Sequence, residues 1–319
     1  MESRIIVVTG ANGFIGANLS RHFSSLGHEV YSIVRKGSDL WRLTNHDADI
    51  EIVSVNEYRI DVLSDVLHKI HPEVVANSVG ADQAVTTGNP ETNWDSNFMS
   101  LVRLVHSLKG LSVDRLIHAG SSFEYGNVNQ GNLLSENLEC SPVSEYATSK
   151  LIQSHYLKYA SKNYSLPSIV LRIFNVFGPY ESLKRLIPYL IVKALKNEKI
   201  FLMNPQVMRD FIFVQDVMRA FEKSLGYKAE SNYSVFNVGT GIGTKVHEVA
   251  NLISKILGKE LKINYELGDF RPENSIQGPI ADISLAKKEL KWLPLFSLQE
   301  ALKEDIKWFS TNLNQYEKL

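Results

Sequence analysis

Ile5-Ile6-Val7-Val8-Thr9 is an unbroken apolar, β-branched run, the pattern of a strand buried on both faces in a parallel sheet. Helical spacing follows from Gly13 to Leu26, where Phe14, Ile15, Leu19, Phe23 and Leu26 fall close to one face before Gly27 stops the helix. Val30 to Val34 make a second strand, closing a βαβ unit. The alternation continues with strands at Ile50–Val53, Val74–Ala76, Arg115–Ala119 and Ile169–Arg172, and helices at Leu63–Ile70, Trp94–Leu108 and Tyr146–Tyr164. Such repetition predicts an α/β fold with a doubly wound parallel sheet of the Rossmann type, helices on both faces.

Beyond about Asn175 the rhythm changes. Loops carry Pro179, Pro188 and Pro205, helices are expected near Leu186–Asn197, Val214–Leu225 and Val246–Leu257, and short strands near Val235–Val238 and Leu261–Tyr265. These read as a smaller, mixed α/β substrate lobe, residues 175–319, beside a dinucleotide-binding domain of residues 1–174. No flexible linker separates the two, so they are expected to share a cleft, and the chain is free to cross back between them.

Charge excludes some partners. Lys+Arg of 34 against Asp+Glu of 35 leave no basic field for nucleic acid or an anionic membrane, so any phosphate must be held by local features. A single cysteine, Cys140, permits no internal disulfide and suits a reducing compartment. Met1-Glu2-Ser3-Arg4 leads straight into the first strand, and no apolar run nears the roughly 20 residues of a membrane helix. A soluble, cytoplasmic protein is expected, and no metal-ligand cluster stands out.

Thr9-Gly10-Ala11-Asn12-Gly13-Phe14-Ile15-Gly16 lies between the first strand and the first helix. Glycines there allow a tight turn and close approach to a pyrophosphate, while the helix start offers unpaired N–H groups to the anion. The second strand ends Val34-Arg35-Lys36, with two cations where an acid would favour NAD, so a ribose 2′-phosphate and NADP(H) are favoured over NAD(H). Asp61 opens a later turn, either to receive the adenine amino group or to cap a helix. Tyr146 and Lys150 stand four apart on one helix face. A nearby ammonium stabilises a tyrosinate, making the phenol a better acid-base group. Ser121 follows the apolar strand Leu116-Ile117-His118, at the carboxyl end where doubly wound folds place their ligands.

Taken jointly, the glycine turn, the serine after the fifth strand and Tyr146-x-x-x-Lys150 resemble the extended short-chain dehydrogenase/reductases, the NAD-dependent epimerase/dehydratase family that modifies nucleotide sugars. Further matches run along nearly the whole chain: Asn97, Leu171 to Pro179, Arg209 to Val217, Asn237 to Gly241, and Arg271-Pro272-Glu273. The resemblance implies that Tyr146 is the general acid/base, that Lys150 lowers its pKa and holds the nicotinamide ribose, and that Ser121 aligns the reacting oxygen. It assigns the cofactor to Gly10, Asn12, Gly13, Phe14, Ile15, Gly16, Arg35, Lys36, Asp61, Val62, Asn77, Ser78 and Phe174, together with Tyr146 and Lys150. It assigns the nucleotide sugar to Ser121, Ser122, Asn175, Arg209 and Arg271, because a diphosphate on a neutral protein needs forked guanidinium donors. Asn237 and Thr240 read as turn residues.

Two departures bear on the reaction. Dehydratases of the family carry an Asp-Glu or Ser-Glu pair after the catalytic hydroxyl. Here Ser122 and Phe123 occupy those positions, and Glu124 comes one place late, a shift that turns a side chain to the opposite face of an extended segment. The loop Ala76-Asn77-Ser78-Val79-Gly80 replaces the usual His-Leu-Ala-Ala. These residues rank an NADPH-dependent reductase of a 4-keto nucleotide sugar first and a 4-epimerase second. A 4,6-dehydratase is disfavoured, and a non-catalytic dinucleotide-binding protein comes last. A homodimer is expected through the helices at Trp94–Leu108 and Tyr146–Tyr164.

Overall fold

The computed structural model describes residues 2–44, 48–80, 91, 94–126, 133–228, 231–266 and 278–316. Its central sheet holds β1 (Ile5–Thr9), β2 (Glu29–Arg35), β3 (Glu51–Val55), β4 (Val74–Asn77), β5 (Arg115–Ser121), β6 (Ser168–Ile173) and β11 (Tyr233–Val238), in the spatial order β11-β6-β5-β4-β1-β2-β3. Every pairing is parallel. The chain winds outward from β1 in one direction and from β4 in the other, so the carboxyl ends of these two neighbours flank the switch point where such folds open a crevice.

Alternation along the strands decides what lies on each face. In β1, Ile6 and Val8 join the apolar cluster that holds Ala17, Leu19 and Phe23 of α1 (Phe14–Ser25), whereas Val7 joins the one opposite. That second cluster takes Leu63 and Leu67 of α2 (Ile60–Ile70), Leu101 and Leu104 of α3 (Ser100–Ser107) and Leu157 of α4 (Glu145–Asn163). Burying each such side chain stabilises by about 1.5–3 kcal/mol, which fixes the facing of every strand and hence its register. A π-helical turn, Asp95–Met99, leads into α3.

The second half contributes α5 (Leu186–Leu195), α6 (Val214–Leu225), α7 (Val246–Leu257) and α8 (Leu298–Tyr316). Three two-stranded ribbons join them: β7 (Asn175–Phe177) with β10 (Phe211–Phe213), β8 (Ile200–Met203) with β13 (Ile263–Glu266), and β9 (Met208–Arg209) with β12 (Thr244–Lys245). Two elements expected in the smaller lobe belong to the sheet layer instead. β11 pairs with β6 from Tyr233↔Ser168 to Val238↔Ile173, and α6 packs beside α1, where His22 Nε2 and Glu222 Oε2 lie 3.0 Å apart. Periodicity marks a buried strand but not which sheet it enters. The sequence reading also passed over α8, although its start carries a capping box: Ser297 N–H donates to Glu300 at 2.9 Å and Glu300 N–H returns to Ser297 Oγ at 3.3 Å.

Asn237, expected in a turn, is instead a fully buried residue of β11. Its Oδ1 accepts from Tyr125 Oη at 2.7 Å, its Nδ2 donates to the carbonyls of Leu134 (2.6 Å) and Asp282 (3.2 Å), and its N–H donates to Glu136 at 2.7 Å. One amide thus ties the sheet to segments far away in the chain. Asn237→Leu keeps the branched shape and strands Tyr125 Oη and the two carbonyls, so we expect a loss of about 3 kcal/mol, readable by urea unfolding; a loss under about 1 kcal/mol means water satisfies them instead.

Candidate active site

A cleft of about 730 Å³ opens at the carboxyl edge of the sheet between the two halves of the chain. Its floor begins at the glycine turn. Gly10 has φ +71°, and a Cβ there would lie 2.7 Å from the Val79 amide nitrogen; at Gly16 it would meet the Gly10 carbonyl at 2.2 Å. Both sites therefore demand glycine, one for strand-to-strand approach and one for seating α1 on the turn. Gly13 is the N-cap of α1, and Gly13, Phe14 and Ile15 line the cleft. The helix presents its first N–H groups there, a cradle suited to a dinucleotide pyrophosphate.

Asn77 turns inward, whereas Ser78 lines the cleft with its hydroxyl engaged by the sheet. Ser78 Oγ donates to the Thr9 carbonyl at 2.8 Å. Asn77, fully buried, accepts on Oδ1 from the Thr9 hydroxyl (2.7 Å) and the Val79 N–H (3.1 Å). Its Nδ2 must then donate to His118 Nδ1, 3.0 Å away, which leaves a neutral imidazole with its proton on Nε2. Burial, reinforced by the charge on Lys150, holds His118 well below its ordinary pKa. Asn77 therefore shapes the loop that ends at Gly80, on the cleft wall.

Arg35 and Lys36 are exposed and are not among the residues that line the cleft. Asp61 lies inside the first turn of α2, whose N-cap is Arg59, so it is not the cap. Its carboxylate is held by the Arg59 guanidinium at 2.8 and 3.1 Å. Val62 packs on the α2-side core. Arg42, which the sequence reading missed, lines the cleft. It donates through Nε to the Tyr180 carbonyl at 2.8 Å and through Nη1 to the Asn12 carbonyl at 3.4 Å. No periodic signal marks an arginine in irregular structure; contacts such as these carbonyls and the Trp41 ring, 4.5 Å away, give it a place.

Ser121, Tyr146 and Lys150 all line the same cleft. Ser121 ends β5 and caps a short 3₁₀ turn, Ser122–Tyr125, accepting on Oγ from the Phe123 N–H at 3.2 Å. That bond engages the oxygen and leaves the O–H to donate. Lys150 Nζ donates to the Ala119 carbonyl at 3.2 Å. Burial pushes its ammonium down to about 8, against the opposing pull of Glu124. Asn97, in the π-helical turn, donates through Nδ2 to Ser149 Oγ at 3.0 Å and accepts Gln153 Nε2 on its carbonyl at 2.6 Å, bracing α4. Phe123 stands in the cleft wall with its ring edge-on to Tyr146, centroids 6.2 Å apart. Glu124 is fully buried, but not by the strand alternation expected from the sequence: Ser122–Tyr125 is a 3₁₀ turn, in which successive side chains are rotated by about 120°. Ser122 is buried beside it.

Phe174, Asn175 and Arg209 bring the second half to the cleft. Asn175 Oδ1 is buried and finds no partner among the described residues, an acceptor suited to a ligand donor. Arg209 is buried, with its guanidinium pushed down to about 10 by desolvation, which favours an anion beside it. Asp210 serves a turn instead, accepting from Thr240 N–H (2.8 Å), Thr240 Oγ1 (2.5 Å), Gly241 N–H (3.0 Å) and Ala281 N–H (3.1 Å). Thr240 is thus a turn residue with a specific partner. Arg271 lies outside the described residues.

The sequence pattern that defines the NAD dependent epimerase/dehydratase family matches residues 6–239. The UDP-glucose 4-epimerase of Bacillus subtilis is 25% identical over 340 residues, covering 98% of this chain and 98% of its own length. Among solved structures, the UDP-glucose 4-epimerase of Thermotoga maritima with UDP-glucose superposes with a TM-score of 0.88 at 25% identity, covering 97% of this chain and 99% of its own. The UDP-glucuronic acid 4-epimerase of Bacillus cereus, with UDP-glucuronic acid and NAD, gives 0.82 at 25% identity, covering 96% and 99%.

Keeping an ammonium in this cleft carries a stability cost. Its proton affinity falls from an ordinary 10.5 to about 8 on folding, an upper bound of about 3 kcal/mol. The cost is full below pH 8, where both states are protonated, and vanishes above the unfolded value. Lys150→Met should therefore raise the melting temperature of the dinucleotide-free protein at pH 7, with the gain shrinking steadily toward pH 10.5. Equal melting temperatures at pH 7 would mean that Lys150 is solvated.

Proposed function

The chain belongs to the NAD dependent epimerase/dehydratase family, and on that premise we propose that it is a nucleotide-sugar 4-epimerase. The observation that carries the reading is the cleft wall around Tyr146: Ser121 and Lys150 are present, while Phe123 presents a hydrocarbon where a dehydratase of the family has its carboxylate. Relatives named as 4-epimerases and matched end to end support it over the reductase that the sequence alone ranked first. A bound nicotinamide dinucleotide supplies a hydride acceptor and donor at the sugar C4. Tyr146 takes the proton of the C4 hydroxyl as the ketone forms and returns it to the oxygen afterwards, so charge never accumulates there. Ser121 donates to that oxygen, and the Lys150 charge favours the tyrosinate. Phe123 offers no base for the proton at C5, so the 4-keto sugar is not drained by loss of water. Arg209 and Asn175 hold the nucleotide diphosphate, with Arg271 assigned to the same task.

A second reading, NADPH-dependent reduction of a 4-keto nucleotide sugar, draws on one feature: β2 ends in Arg35 and Lys36 with no acid. A charge-assisted pair with a 2′-phosphate is worth about 1.5–3 kcal/mol, one to two decades in affinity. We further propose a homodimer through α3 with the π-helical turn before it and α4, where Met99 of that turn (39% exposed) and Tyr159 of α4 (50% exposed) show apolar surface, in a cytoplasm that suits the single thiol.

Tyr146→Phe should slow interconversion of UDP-glucose and UDP-galactose, or of their uronic acids, by about 10² to 10⁴ while leaving UDP-sugar affinity nearly intact. Equal rates remove Tyr146 from its role. Phe123→Glu should make the protein leak a 4-keto-6-deoxy sugar from UDP-glucose, seen by mass spectrometry as loss of water, and no such product means Phe123 does not face C5. Replacing Arg35 and Lys36 by Ala should erase any preference for NADP, with fluorescence titration of both dinucleotides as the check.

A further inference from the structure

Glu124 is the charged residue nearest to Ser121 that the reaction leaves unused, and its carboxylate is wholly buried. Oε1 accepts the backbone N–H of Ser121 at 2.9 Å. Oε2 accepts both the Ser154 hydroxyl at 2.8 Å and Arg172 Nε at 3.0 Å. These donors come from three elements: the end of β5, α4 and β6. Ser154 follows Tyr146 and Lys150 at intervals of four, so all three share one face of α4. Arg172 lies over the Tyr125 ring at 4.7 Å. Burial works against its charge, but Glu124 and Tyr125 outweigh that and hold it above its usual value.

We propose that Glu124 is a positioning residue: its carboxylate ties the strand end that carries Ser121 to the helix face that carries Tyr146 and Lys150, and sets a negative charge behind the Lys150 ammonium. This rests on the reading of those three residues as the reacting site. The tie is direct on both sides, through the Ser121 amide and the Ser154 hydroxyl. A misplacement of about 1 Å at a reacting centre lowers rates by about 10²-fold, so the spacing of serine and tyrosine is worth holding. The charge has a second effect. Lys150 is faced by Tyr146 from its own helix, by neutral His118 of β5 and by Glu124, with Arg172 of β6 beyond it, and Glu124 is the group that opposes its desolvation. A buried carboxylate with three donors is a stable place to keep that charge.

The test is the titration of Lys150, followed by NMR of isotope-labelled lysine and assigned by the signal lost in Lys150→Arg. It needs no substrate, so it stands apart from the epimerase reading. In Glu124→Gln the midpoint should fall by about one unit. In Ser154→Ala, which keeps the charge, it should stay in place while kcat drops about tenfold and KM for the nucleotide sugar moves less than about twofold. An unchanged midpoint in folded Glu124→Gln overturns the electrostatic part, and wild-type kcat in Ser154→Ala overturns the tie. Should Glu124→Gln fail to fold, Glu124→Asp, which keeps the charge but shortens the reach, should reproduce the Ser154→Ala pattern, and wild-type kcat there overturns the proposal. If the intact protein interconverts no sugar, the epimerase reading falls, and the titration alone decides this one.

Discussion

An ammonium buried at the edge of a parallel sheet is a demanding group, and the architecture of the candidate site is arranged around keeping it there. Lys150 is 6% exposed, in surroundings that pull its proton affinity down by burial. The Ala119 carbonyl and the carboxylate of Glu124 work in its favour. The neighbours respect that balance. His118 is kept neutral by burial and by the Lys150 charge itself, so no second positive charge arises beside it. Gly80 brings bare backbone close to the ammonium, where a Cβ would lie 3.2 Å from Nζ. On the proposed reaction, that charge serves the phenol of Tyr146.

The second constraint is that two halves of one chain must present a single cleft. They share one continuous apolar cluster: Ile6 and Val8 of β1 belong to the same core as Ile187, Val246, Trp292 and Phe309. Polar ties then set the cleft walls. Carbonyls of the segment after Gly178 are taken by three elements, with Asn18 Nδ2 donating to Pro179 (3.1 Å), Arg42 to Tyr180 and Tyr316 Oη to Glu181 (2.8 Å). Tyr180 sits at φ +73° in that segment, a strained conformation that surrounding bonds must hold. Glu181, Ser182 and Arg185, which follow, line the cleft, so this part of its wall is built on a braced loop.

Much of this was legible in the residues. β1, the glycine turn and α1 announced themselves because each rule involved is local: β-branched runs, glycine at tight approaches, helical spacing. Tyr146 and Lys150 were legible for the same reason, four apart on one helix. What stayed hidden was set by distant contacts. Nothing near Asn237 says that its amide will meet Tyr125, Leu134 and Asp282, and nothing near Val235 says which sheet takes the strand. Arg42 and Glu181 gain their places from loops whose course only tertiary packing fixes. The order of reaction readings also changed, because relatives matched end to end are named 4-epimerases, whereas Phe123, legible in the sequence, speaks only against dehydration.

The account's central claim is that the hydrogen taken from the sugar C4 returns to the same carbon. A UDP-hexose deuterated at C4, incubated with the purified protein and a catalytic trace of dinucleotide, tests it directly. The account predicts both 4-epimers at equilibrium with deuterium retained at C4 and no net change in reduced dinucleotide. Deuterium exchanged for solvent hydrogen, or turnover that consumes NADPH in proportion to product, contradicts it.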